Sequence, residues 1–218
     1  MAEDAVASAL TARFRELWRR GVRADGWETA FAALDAGYGS PARAYHAWSH
    51  IADLLQRLDG VRDAPEFAGV AFDDVELAVF FHDAVYDPRR HDNEARSAAL
   101  FLGLAAAGGA ADERLRRVAS LIAATAAHPP SSDRATQLML DLDLGILAAP
   151  PEVYASYVAG VRREYGHVPD PAWARGRIAV LDRFLARDRI YQTAVFFARL
   201  EAGARANLQT ERRQLAGA

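Results

Sequence analysis

The chain has 218 residues, 51% of them hydrophobic and 25% charged, with a formal net charge of −3. That length suits one generous domain with a single large core, and the charge balance speaks against a nucleic-acid surface or an electrostatic membrane anchor. There is no cysteine, which excludes disulfides, thiolate metal sites and cysteine nucleophiles and leaves His, Asp and Glu as the metal-ligand set. The opening Met1-Ala2-Glu3-Asp4 is acidic where a signal peptide would be basic, and no apolar run approaches the ~18 residues of a membrane span. A cytoplasmic protein is expected.

Val6, Leu10, Phe14 and Leu17 recur at helical spacing and predict a helix over about 2–20. Asp25-Gly26-Trp27-Glu28 reads as a capping box opening a short helix through about Ala36. The turn Gly37-Tyr38-Gly39-Ser40-Pro41 ends in a Ser N-cap and Pro N1 signature, so the next helix is expected from about Pro41 to Leu58, with Gly60 ending it. A helix starting near Asp73-Asp74 should carry His82-Asp83 and stop before Pro88. Asp92 is a candidate N-cap for a helix over 93–107, and after Gly108-Gly109 another runs from about Asp112 to Ala127, ended by His128-Pro129-Pro130. Ser132 or Asp133 caps the helix containing Asp141 and Asp143. Pro151 to about Tyr165, Pro171 to Arg187 and Ile190 to Leu215 follow, and no stretch alternates at period two. The expectation is an all-α, single-domain bundle of about nine helices, with a metal-site core over about 41–149 and C-terminal helices over 151–215 packing on it.

Polar residues in apolar runs mark the chemistry. His46 and His50 are four apart, which on a helix places both rings over one pocket. His82-Asp83 interrupts the run from Leu77 to Tyr86, and Asp141 and Asp143 interrupt the run from Leu138 to Leu144. An unpaired buried charge is costly, so each interruption is expected to be paired, hydrogen-bonded or bound to metal. Together they point to one shared cation site built from His50, His82, Asp83 and one of Asp141 or Asp143. The two aspartates lie about 200° apart around a helix, so only one can face the ion, and spacing does not choose between them. A His-Asp dipeptide alone is not a signature, since His91-Asp92 recurs in a loop.

The order His, then His-Asp, then Asp on helices resembles the HD superfamily of metal-dependent phosphohydrolases. Tyr45-His46 followed by His50 is similar to the signature of its cyclic-nucleotide phosphodiesterase branch. More closely, Phe81-His82-Asp83-Ala84-Val85-Tyr86-Asp87, Asn93-Glu94, Asp141-Leu142-Asp143-Leu144, Arg163-Glu164-Tyr165, Gly176-Arg177 and Ile190-Tyr191 resemble a family of small bacterial predicted HD phosphohydrolases. The resemblance runs from about Tyr38 to the C-terminal helix. It implies an HD-type helical fold, with His50, His82 and Asp83 as metal ligands, Asp143 as the fourth and His46 as general acid. The chain departs from the di-metal branches, because His91 and His128 do not stand at the spacings of their additional histidines. One divalent ion is therefore expected and a second is left open, with Mn, Mg, Ni, Co, Fe and Zn not distinguished. The ion would activate a water against phosphorus, with Asp87 or Glu94 orienting that water. Arg89, Arg90, Arg163 and Arg177 are candidate phosphate partners, Arg177 first because it stands in the Gly-Arg pair, and His128 is a substrate contact or a helix C-cap. The expected function is hydrolysis of a small, nucleotide-like phosphomonoester or phosphodiester. The alternatives are an HD-fold di-iron oxygenase and a non-catalytic nucleotide-sensing module. No nucleic-acid or membrane partner is expected, and a homodimer is compatible with the sequence.

Overall fold

The apolar run that carries His82 forms the central helix of the molecule. The computed structural model describes residues 2–22 and 25–217, with side chains from residue 9 onward. Among the described residues there are ten α-helices and no strand. They are α1 Ala2–Gly21, α2 Trp27–Tyr38, α3 Trp48–Asp59, α4 Phe72–Phe81, α5 Asn93–Ala107, α6 Asp112–Ala124, α7 Arg134–Asp143, α8 Pro151–Glu164, α9 Asp170–Leu185 and α10 Ala194–Ala216. The bundle is all-α as expected, with one helix more than the expected count. The side chain of Val6, one of the residues that marked α1, lies outside the described residues.

Every residue of α4 from Asp74 to Phe81 is buried, because the helix is apolar on nearly all sides and packs against α1, α3, α5, α6 and α7. Phe80 and Phe81 meet Phe14 of α1 at ring-centroid distances of 5.1 and 6.1 Å, and Phe81 meets Phe101 of α5 at 5.2 Å. Each such ring removed from water contributes roughly 1.5–3 kcal/mol. The two acids on this helix are matched by arginines: Asp74 by Arg114 and Arg117, Glu76 by Arg13 and Arg62. The second layer is α8–α10. Here α10 packs on α9 and on the 3₁₀ turn Leu144–Ala148 that follows α7. Arg177 of α9, Glu211 of α10 and Tyr154 of α8 form one buried hydrogen-bonded group.

Several boundaries differ from expectation, each for an identifiable reason. The Ser40-Pro41 signature opens only turns, and α3 begins at Trp48 after Ala47 in extended backbone (φ −117°, ψ −177°). The N–H groups of Ala44, Tyr45 and His46 donate to the Glu164 carboxylate of α8, so they do not build a helical ladder. His46 and His50 therefore do not share a helix. Likewise α4 stops at Phe81, with His82 as its C-cap and Asp83 beyond it, because Arg43 draws the Asp83 and Ala84 carbonyls to its guanidinium. α2 is entered through Gly26 in the left-handed region (φ 87°) with no side-chain cap, so the expected box does not close. Asp92 likewise gives α5 no side-chain cap, its carboxylate being taken by Arg90. Asp133 does cap α7, accepting from the Thr136 N–H. α10 starts at Ala194, four residues late, because Asp141 takes the N–H groups of Gln192 and Thr193 and Thr193 then caps the helix.

Candidate metal centre

Three separate pieces of the chain bring their donors to one point. His50 comes from the first turn of α3, His82 and Asp83 from the end of α4, and Asp143 from the last residue of α7. His50 Nε2 and His82 Nε2 lie 3.3 Å apart. Asp143 Oδ1 is 3.4 Å from the first and 3.5 Å from the second, and Asp83 Oδ2 is 3.8 and 3.2 Å from them. Metal–ligand bonds of about 2.0–2.1 Å in a tetrahedral arrangement place neighbouring donors about 3.3–3.4 Å apart, so the separations are those a divalent cation of this type requires.

The chemistry of each donor agrees. His82 Nδ1 lies 2.9 Å from the Val79 carbonyl, to which it donates, and this fixes the tautomer that turns the Nε2 lone pair into the cluster. His50 is 4% exposed and directs Nε2 at a second imidazole and a carboxylate, while its Nδ1 has no hydrogen-bond partner among the described residues. Burial lowers the His82 pKa, but the facing Asp83 and Asp143 carboxylates outweigh it and raise it well above the ordinary value. In the same way burial raises the two carboxyl pKa values and the surrounding histidines outweigh it, holding both below the ordinary value.

Asp141 and Asp143 are separated by the fold, as the angle between them demanded. Asp143 faces the histidines, whereas Asp141 faces away and accepts from Gln192 N, Thr193 N and Thr193 Oγ1. Asp141 is thus a strut between α7 and the start of α10.

On its outer side the cluster opens into a cavity of about 530 Å³ lined by His46, Asp83, Glu94, His128, Asp143 and Arg177 among others. His46 stands at its mouth, Nε2 3.9 Å from Asp83 Oδ2 and its ring stacked on Tyr86 with centroids 4.1 Å apart. Its Nδ1 lies 2.6 Å from Glu164 Oε2, and Glu164 Oε1 accepts three backbone N–H groups at 2.8, 2.8 and 3.0 Å. Burial pushes the Glu164 carboxyl up, but His46 and these N–H groups prevail and hold it at about 2. Glu164 is the residue that sequence reasoning missed. Its one signal was its place in Arg163-Glu164-Tyr165, and nothing local tied it to His46, which is 118 positions away.

The other candidates divide. His128, in the left-handed region at φ 49°, donates from Nε2 to Asp143 Oδ2 at 2.9 Å and so braces that carboxylate. Glu94 lines the cavity, while Asp87, Arg89 and Arg163 line a separate groove. Asp87 Oδ1 accepts the Arg89 N–H, and its backbone N–H and carbonyl are held by Asn93, so it shapes the loop before α5. Arg90 is exposed and paired with Asp92. Arg177 lines the cavity, but its Nε and Nη2 both bond Glu211 at 2.7 and 3.0 Å. Comparison of the chain with known protein families, with curated proteins and with solved structures finds no match. Among the described residues no helix is long and apolar enough to cross a membrane.

Proposed function

We propose that the chain is a metal-dependent phosphohydrolase of the kind its His, His-Asp, Asp order resembles, cleaving a phosphate ester by attack of water. The observation that carries this reading is the convergence of His50, His82 and Asp83, with Asp143 3.4 and 3.5 Å from the two imidazoles, beside a cavity large enough for a substrate. A divalent ion held by His50, His82, Asp83 and Asp143 would supply a water of lowered pKa and polarise a phosphoryl oxygen.

The chain's own residues supply the rest. Glu164, bonded to Nδ1, orients the His46 ring so that Nε2 faces the cavity as a proton donor to the departing oxygen. Tyr86 fixes the ring plane by stacking. His128 holds Asp143 in place from outside the donor set. Glu94, whose side chain lines the cavity, is the carboxylate proposed to accept a proton from the attacking water.

The test is turnover of a panel of phosphate esters with added Mn²⁺, Mg²⁺, Ni²⁺ or Co²⁺, alongside metal analysis of the purified protein. Metal-dependent hydrolysis that is lost in Asp83→Ala supports the reading. Tight metal binding without turnover of any ester would favour a sensing module instead. Two irons per chain with an oxidised-iron absorption band would favour an oxygenase.

A further inference from the structure

The wall of the cavity beyond the metal cluster is a second source of information, independent of the donors. It is built by Leu147, Val161, Trp173, Val180, Leu181 and Phe184, from the turn after α7 and from α8 and α9. These side chains carry almost no hydrogen-bonding capacity toward a ligand. The charged groups on the same wall are Asp83, Asp143, Glu94, Arg177 and Arg183. Of the two arginines, Arg177 is 9% exposed and doubly bonded to Glu211, with Tyr157 OH at 3.3 Å from its Nη2. Its charge is already matched inside the protein. Arg183 is exposed at the rim, its guanidinium over the Phe184 ring at 5.6 Å.

Charge bookkeeping then limits the ligand. A divalent ion would offset Asp83 and Asp143 and give one phosphoryl group a cationic partner for its oxygen at the cluster. A polyphosphate tail would lie along an apolar wall past Glu94, with no buried cation free to meet it, and burying an unpaired charge is strongly unfavourable. A sugar ring laid against the Leu, Val and Phe side chains would strip its hydroxyls of water there, the hydroxyls of the lining being those of Tyr45, Tyr86, Thr125, Tyr157 and Tyr165.

We infer that the substrate carries a single phosphoryl group joined to a mainly apolar organic group, aliphatic or aromatic, which lies in the cavity against α8 and α9. The inference rests on the phosphohydrolase reading for the word substrate, but the binding preference it states does not. At about 30 Å³ for each water-sized group, the cavity accommodates on the order of seventeen non-hydrogen atoms.

The experiment separates binding from turnover. Non-hydrolysable n-alkylphosphonates from ethyl to octyl are titrated calorimetrically into the metal-loaded protein, and into the metal-free protein with the fluorescence of its tryptophans as readout. Each methylene buried in the cavity should tighten binding about fourfold, with glucose phosphate and ATP binding no better than ethylphosphonate. A flat series, or tighter binding of ATP or glucose phosphate, overturns the inference. The variant Ala172→Trp, which fills the cavity from α9, should leave ethylphosphonate unchanged and end the gain at a shorter chain. Should that variant fail to fold by circular dichroism, Val180→Thr serves, weakening octyl binding severalfold with little effect on ethyl. Hydrolysis rates of the matching alkyl phosphates complete the test. A graded binding series without hydrolysis of any ester would sink the phosphohydrolase reading and leave the cavity preference standing. Hydrolysis with flat binding would do the reverse.

Discussion

Glu164→Gln probes the site through a residue that bonds none of the four metal donors. The wild-type carboxylate accepts three backbone N–H groups on Oε1 and faces His46 Nδ1 on Oε2. Hydrogen bonds to a charged group contribute about 1.5–3 kcal/mol, against about 0.5–1.5 for neutral ones. The amide oxygen of Gln can keep the three N–H groups at reduced strength, while its NH₂ must face Nδ1. Summed over the four contacts, the variant should lose about 3 kcal/mol at neutral pH, which for a chain of this size lowers Tm by roughly 6–12 °C. The chemical consequence is separate. An NH₂ donor forces Nδ1 to accept, so the neutral ring carries its proton on Nε2, and the ring loses the carboxylate that oriented it. Hydrolysis of an alkyl phosphate should fall on the order of 10²-fold and that of a nitrophenyl phosphate far less, because only the alkoxide needs a proton to leave. Bound metal should be retained. The acid dependence follows with its sign. A carboxyl held at about 2, below its ordinary 4.5, contributes stability that is fully present above pH 4.5 and is lost as pH falls toward 2. Thermal melts between those values should show the wild type converging on the variant. Equal rate losses on both esters, loss of metal, or an unchanged Tm at pH 7 would refute the assigned geometry.

His50→Ala, His82→Ala and Asp83→Ala should each abolish stoichiometric metal in elemental analysis while helical circular dichroism persists, and full occupancy in Asp83→Ala would remove the site. Asp143→Asn should strip metal, whereas Asp141→Asn should keep it and cost about 1–3 kcal/mol in urea unfolding, since it weakens the clamp on Gln192 and Thr193. His46→Ala should keep the metal and show the same division between alkyl and nitrophenyl esters as Glu164→Gln. Arg177→Met leaves the buried Glu211 with Tyr154 but without its counter-charge and should cost about 3–5 kcal/mol, largely restored in the double variant with Glu211→Leu. KM for a phosphate ester should change little in that double variant, and a large rise would return Arg177 to the role of phosphate ligand.

The sequence by itself determined most of the helices and the cluster of His50, His82 and Asp83. Apolar spacing along α1 and α4, prolines at the starts of α8 and α9 and the Asp133 cap are local features whose energetics lie within a turn or two of chain. His50, His82 and Asp83 were legible because ionisable groups in runs that must be buried cannot stand there unpaired. Spacing likewise established that only one of Asp141 and Asp143 could face an ion, but which one depends on how α7 is rotated. That rotation is set by α10, whose leading N–H groups bind Asp141 from fifty-one and fifty-two positions away. The same limit hid the surroundings of His46. Local signals favoured a helix from Pro41 that would stack it on His50, and the preference was overridden by Glu164, 118 positions on, whose carboxylate takes three N–H groups that such a helix would have used in its own ladder. Arg177 shows the converse, a cation that reads as a phosphate ligand until the fold brings Glu211 against it. Propensity acts between neighbours, whereas the partner of a buried charge is chosen by whichever distant segment packing delivers.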